Sequence, residues 1–463
     1  MTPAEAGRAL PAMPLASPGS AGAVPPAARW HMHCEAAARA LFLLAAIGSV
    51  TSPPVCNIGA FLGLLAYAGS PQAWPRLRAA ARRPLGRGIL VLLAVLGAAT
   101  LWAGDASWAR RFAAWWSWRP LILVLVGSAL FDSAPAKDRY ARTFVAAMAL
   151  AAVASFALRF SPHPVFIDDP GVLLRNHTTQ GMAFVVAALL AVMLAWGRPV
   201  GRRERWLLMA AAVLFVANIV SITTGRSAHV ALLVAVIVGG AARLGGRRRW
   251  LAWLVVPVLA AGLLAASPMV RERFEMVQTE VGTVDNAPVA TSSGIRLYVW
   301  STTWELITRR PLLGYGMGGF VPAYHRLIHE HVVDSANWRD ASRAQDTHNE
   351  YLHLLVEAGM LGLLAFGFFV VGALRQAAPA PYRTTAVATL FAWLATSLFN
   401  SHFQTFAEAH LLGLVLGTLL APEGLPPVEG GTGYAAAPAG STVAAPVAAG
   451  PPSSPSASAA TAA

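Results

Sequence analysis

The sequence predicts an all-α polytopic membrane protein with about twelve transmembrane helices and one large outer loop. Three observations carry that prediction. First, the 463 residues are 56% hydrophobic and only 12% charged, with a mean hydropathy of +0.54; soluble domains carry about 25% charged residues. Second, apolar runs recur along the chain, each long enough to cross a hydrocarbon core of about 30 Å. Third, all but one of the 35 basic residues are Arg, Lys137 being the exception, and most lie between those runs. Together these exclude a soluble enzyme, a collagenous or disulfide scaffold and a wholly disordered chain. The runs do not alternate apolar with polar residues, which excludes an outer-membrane barrel. The net charge of +13 is therefore read as a determinant of membrane orientation, with membrane lipids as partners and no nucleic acid.

Residues 1–35 are rich in Ala, Pro and Gly, have no apolar signal-peptide core, and read as a disordered cytoplasmic lead. Residues 36–267 hold helices at 36–51, 53–69, 88–103, 112–131, 141–159, 178–196, 206–222, 226–242 and 249–267. Residues 268–350 form the large loop, and 351–420 hold three more helices, at 351–374, 383–400 and 405–420. Residues 421–463 form a low-complexity tail, expected to be disordered and cytoplasmic. Arg residues concentrate after even-numbered helices, from Arg76–Arg87 through Arg375 and Arg383, and are sparse after odd-numbered ones. The positive-inside rule then puts both termini in the cytoplasm and the 268–350 loop outside. Within that loop, 294–308 reads as an amphipathic helix with Ile295, Val299, Thr302 and Leu306 on one face. The two cysteines, Cys34 and Cys56, flank the first apolar run and are not expected to pair.

Several polar residues stand out at the outer side. His348-Asn349 is followed, nine residues on, by Gly359-Met360-Leu361-Gly362, where the loop enters a helix. An imidazole at a membrane surface suits a general base; it equally suits a histidine that only caps the helix start. Arg226 sits in Thr223-Thr224-Gly225-Arg226-Ser227, a turn too short to carry it far from the membrane. A guanidinium there is a natural phosphate ligand, or a snorkelling anchor. Arg175 and His177 precede a helix on the same side, and Arg296 lies on the amphipathic helix. The Gly-rich stretch from Pro311 to Phe320 is read as a tight turn, because no βαβ unit surrounds it. Asp168-Asp169 and Asp346 with Glu350 lack a full ligand set, so no metal is expected. His402 is placed at the interface, and Trp115, Trp116 and Trp118 are read as an aromatic belt.

Taken together, the Thr-Gly-Arg-Ser turn, the phrase Arg296…Trp300…Arg310-Pro311-Leu312-Leu313-Gly314-Tyr315-Gly316, and His348-Asn349-x9-Gly359-x-x-Gly362 resemble the O-antigen ligase family. That group also includes O-antigen polymerases and bacterial O-oligosaccharyltransferases. The resemblance covers about residues 170–370. It implies a metal-independent membrane glycosyltransferase of the GT-C type in lipopolysaccharide biosynthesis. Such an enzyme moves a glycan from undecaprenyl diphosphate to lipid A–core at the periplasmic face of the bacterial inner membrane, without a cofactor. It further implies His348 as the base and Arg226 as a diphosphate ligand, with Arg296 and Arg175 as further diphosphate contacts and Asn349, Gly359 and Gly362 supporting the motif. The family's Arg-x3-Leu pattern has Val230 at its last position here. A polymerase and a protein O-oligosaccharyltransferase share this chemistry, and a transporter or flippase is the alternative of another class. The single large loop and the low-complexity tail favour the ligase.

Overall fold

A computed structural model describes residues 26–161, 170–223, 225–243, 289–330 and 335–423. All regular structure among them is helical. In chain order the helices are α1 (Pro26–Thr51), α2 (Pro53–Ala68), α3 (Ala73–Ala81), α4 (Pro84–Ala99), α5 (Trp108–Trp116), α6 (Pro120–Leu130), α7 (Ala134–Arg159) and α8 (His177–Gly197). They continue with α9 (Arg202–Ser221), α10 (Arg226–Arg243), α11 (Ser292–Arg309), α12 (Phe320–Glu330), α13 (Ala336–Ala341), α14 (Glu350–Arg375), α15 (Ala380–Thr396) and α16 (Phe406–Leu419).

Among the described residues six spans can cross a membrane by length and composition: Trp30–Thr51, Trp108–Leu130, α7, α8, α9 and α14. The apolar helices α2, α4, α16 and Arg226–Ala242 of α10 are shorter. The helix expected at 249–267 lies outside the described residues. The helix expected at 112–131 is divided by a turn after Trp116, where Pro120 starts a new helix. That turn corrects the aromatic-belt reading. Trp118 is buried, packed against Phe366 and Phe403, and Trp115 donates its indole N–H to Leu93 O at 3.1 Å. Of the three, Trp116 alone is exposed.

Helices pack side by side: α1 on α2, α8 on α9, with α4 on α14, α6 on α16 and α10 on α15 closing the bundle. Small residues let backbones approach, as at Gly127 against Gly417. One end of the bundle is laced by charge. Arg39 and Arg76 each pair with both Glu35 and Asp132, at 3.1–3.2 Å. Arg198 meets Asp138 at 2.9 Å, and Tyr382 donates to the same carboxylate. This joins the start of α7 to the end of α8, so the start of α8 and the α9–α10 turn lie at the opposite end.

At that opposite end α11, α12 and α13 form a small second core. Val299, Leu306, Phe320, Tyr324, Leu327 and Trp338 are buried together against Val356 of α14. On α11, Val299, Thr302 and Leu306 face inward and Ile295 is partly covered. An exposed ion pair, Arg326 with Asp105, ties α12 to the turn before α5, and the hydrogen bond from Arg326 holds the Asp105 carboxyl below its usual range.

Candidate active site

The start of α14 is built by its own sequence. Asn349 is extended and caps the helix, its Oδ1 accepting from Tyr351 N and Leu352 N at 3.0 and 3.1 Å. Its Nδ2 donates to Leu398 O at 2.7 Å, and Glu350 N donates to Ser397 O at 2.9 Å. The buried Glu350 carboxylate accepts from Phe403 N and Gln404 Nε2. The pair Asp346 with Glu350, weighed above as a metal pair, is thus divided: Glu350 is consumed by the 403–404 turn. Among the described residues no group of His, Cys, Asp and Glu is arranged to hold a metal. Asp168-Asp169 lie outside the described residues.

His348 stands just before this cap, half exposed, with φ +49°. Asp346 turns back on it: Oδ1 accepts from His348 N at 3.1 Å, and Oδ2 lies 3.7 Å from His348 Nδ1. That separation is too long for a hydrogen bond.

Farther along, α14 is interrupted. Gly359 has φ +63° and ψ −163°, a backbone region open only to glycine. A Cβ there would collide with the backbone of Leu312. The Gly-rich turn fills the break with its own peptide groups. Tyr315 N and Gly316 N donate to Val356 O and Glu357 O at 2.8 Å, while Met360 N donates to Pro311 O at 2.9 Å. Peptide groups that the interruption frees are thereby satisfied. The two motifs at 311–320 and 348–362 are one structural unit.

Beside His348 lies a cavity of about 560 Å³ lined by His177, Gly225, Arg226, Ser227, Arg296, Trp300 and Asn400, among others. Arg226 and Arg296 come from different elements, the start of α10 and the first turns of α11. Among the described residues neither pairs with a carboxylate. Burial, and then the like charge of Arg226, hold the Arg296 guanidinium below its usual value. Two cations kept together without an anion form a site for one. The cavity wall is tied to both sides of His348. Trp300 donates its indole N–H to Thr347 O at 2.9 Å, and Asn400 donates to Ser227 Oγ at 2.8 Å, two residues beyond the carbonyl that holds Asn349.

Arg175 is placed elsewhere. Its guanidinium stacks on Phe406 at 5.4 Å and does not line the cavity, although His177 and Thr178 do. A buried polar cluster fixes this segment: Gln180 Oε1 accepts from Leu173 N and Leu174 N, and its Nε2 donates to Asn218 Oδ1, Ser155 Oγ and Gly171 O. His402 is buried in the 397–405 turn, and desolvation pushes it down to about 4, so it is neutral.

The structure places Arg226 and Arg296 on the wall of one cavity, connects His348 to it through the Trp300 bond to Thr347, and leaves Arg175 out of its lining. Trp300, Asn400 and Asp346 join the site. Asp346 had a signal, an aspartate two residues before a histidine in loop sequence, where it can turn back on the backbone.

Beneath the cavity α9 and α10 splay apart around an apolar groove of about 700 Å³, with walls that include Val213, Val216, Val220, Leu232 and Val236.

Residues 211–367 match the family model described as O-antigen ligase. The resemblance drawn from the sequence is borne out over that span, which contains Arg226, Arg296 and His348 and excludes Arg175. The match and the apolar helices support a multi-pass membrane protein of O-antigen ligase or polymerase type. Among curated proteins none matches the chain.

Proposed function

We propose that the chain is a ligase that transfers a glycan from undecaprenyl diphosphate to lipid A–core at the periplasmic face of the inner membrane. The observation that carries this reading is the pair Arg226 and Arg296, unopposed by carboxylate among the described residues, in one cavity whose wall is bonded to Thr347, next to His348.

The two guanidinium groups bind the diphosphate and take up the charge that grows on it as the sugar–phosphate bond breaks. They supply this charge in place of a divalent metal. The acceptor hydroxyl attacks the anomeric carbon, a new glycosidic C–O bond forms, and undecaprenyl diphosphate leaves with the bonding pair. The hydroxyl proton passes to His348 Nε2, and Asp346 stabilises the resulting imidazolium. The apolar groove between α9 and α10 suits the polyprenyl chain, one wall of which continues from the Arg226 helix. Holding two lipid-anchored substrates in one plane supplies much of the rate.

The test is transfer in detergent from glycan-loaded undecaprenyl diphosphate to lipid A–core, by wild type and His348→Ala, in buffer with and without chelator. Transfer by the wild type, unchanged by chelator and lost in the variant, is the expected result. Equal transfer by both proteins removes the base role from His348. Transfer only when lipid A–core is replaced by a protein, or by a second loaded carrier, reassigns the chain to protein glycosylation or polymerisation.

A further inference from the structure

A second cavity, of about 380 Å³, is lined by Asp346 and shares no lining residue with the arginine cavity. Its walls come from α5, the Gly-rich turn, the start of α14 and the 401–405 turn, and include Arg110, Gln345, Asp346, His353, Glu357 and Gln404. Its size falls within the range of ligand sites, about 300–1,000 Å³. Nothing in the mechanism above uses it except Asp346.

We propose that this cavity is the acceptor-sugar subsite, and that Arg110 and Glu357 select the acceptor by binding its hydroxyl groups. The proposal rests on the transferase reading. Asp346 meets His348 and also lines this cavity, so a sugar held here lies against the carboxylate that flanks the base. Glu357 is buried, yet its Oε2 accepts no hydrogen bond, and His353 Nδ1 is likewise without one. The two residues meet only at an ion-pair distance of 3.5 Å. Buried polar atoms are normally satisfied, and a ligand hydroxyl in the cavity would satisfy both. Arg110 is exposed and engages no carboxylate among the described residues. The chemistry selects the ligand class. A neutral polyol donates to Asp346 and Glu357 and accepts from Arg110 and Gln404 at once, matching the mixed donors and acceptors of the wall. The arginine pair and this cavity thus hold different parts of the reaction, the diphosphate in one and the acceptor sugar in the other.

The experiment has two arms on full-length protein in detergent. In the first, deacylated core oligosaccharide is titrated by calorimetry without donor. Saturable binding by wild type, weakened about tenfold or more in both Arg110→Ala and Glu357→Gln, is expected. Absence of saccharide binding, or equal binding by all three proteins, overturns the proposal. In the second arm transfer is followed at varied lipid A–core. Both variants are expected to raise the acceptor KM about tenfold, with kcat within a few-fold of wild type. An unchanged acceptor KM in a transferring enzyme overturns the subsite and leaves the transferase reading standing. Loss of transfer to every acceptor by wild type, with saccharide binding retained and dependent on Arg110, overturns the transferase reading and keeps the sugar site. Because Glu357 accepts from Gly318 N at 2.8 Å, Arg110→Ala, on an exposed side chain, guards against a folding defect in Glu357→Gln.

Discussion

Arg175 and His348 occupy the same local structure at two places in the chain. Each has positive φ, +42° and +49°, and they are the two such non-glycine residues among those described. Each is followed by an extended asparagine, Asn176 or Asn349, whose side chain caps the helix that starts next. Left-handed backbone costs a non-glycine residue about 1–2 kcal/mol, and strain of this kind gathers at functional sites. Glycine at either position should relieve it. Arg175→Gly and His348→Gly are each expected to raise stability by about 1 kcal/mol, read as a higher melting temperature in detergent. His348→Gly is expected to abolish transfer all the same. A fall in melting temperature for both would show that the side chains, not the strain, dominate.

Gly359→Ala is expected to be severe. The substitution places a Cβ both at positive φ and against the Leu312 backbone, so the Gly-rich turn must withdraw from the break in α14. The expected result is loss of several kcal/mol, seen as poor yield of folded protein, whereas Gly367→Ala, open around its Cβ, serves as the tolerated control. Similar yields of the two variants would argue that the turn is not held by the break.

Arg226→Ala and Arg296→Ala are each expected to lower kcat by about 100-fold or more, the usual consequence of deleting a donor to developing charge. Lysine should recover only part of this, since it keeps the charge and loses the fork of donors. Arg175→Ala, whose guanidinium rests on Phe406 outside the cavity, is expected to retain most of kcat. Rates from single-turnover transfer at saturating donor check all three.

His402 gives a pH signature. Burial lowers it from 6.5 to about 4, with the charge of Asp346 opposing the shift. Below pH 6.5 the unfolded chain binds a proton here that the folded chain refuses. Stability is therefore full above about pH 6.5 and falls as the pH drops toward 4, by up to about 3 kcal/mol. Chemical denaturation between pH 7 and 4.5 should show this slope in the wild type and a shallower one in His402→Gln. Parallel slopes would place the acid sensitivity elsewhere.

What could be read from the sequence follows from how local the cause is. Arg226 was visible because a charge in a short turn between apolar runs has few places to go, and Arg296 because the period of 294–308 is helical. His348-Asn349 announced a capped helix start. The displacement of Arg175 was not visible. It depends on Ser155, Gln180 and Asn218, polar residues on three apolar helices that meet only once those helices pack. His402 and Trp118 misled for a related reason. Short turns beside a membrane are usually wet, and here the turns fold inward over Phe403.

The interruption at Gly359 makes the segment from Glu350 to Ala358 a ruler. One end is pinned by the Asn349 cap and the other by peptide bonds of a distant turn. Neither pin uses more than a single side chain. Inserting or deleting one residue would turn His348 by about 100° and shift it about 1.5 Å relative to the pinned break, carrying it off the edge of the arginine cavity. The site is thus guarded by chain length as well as by residue identity, and length variation among related proteins should avoid this interval while falling freely elsewhere in the loop.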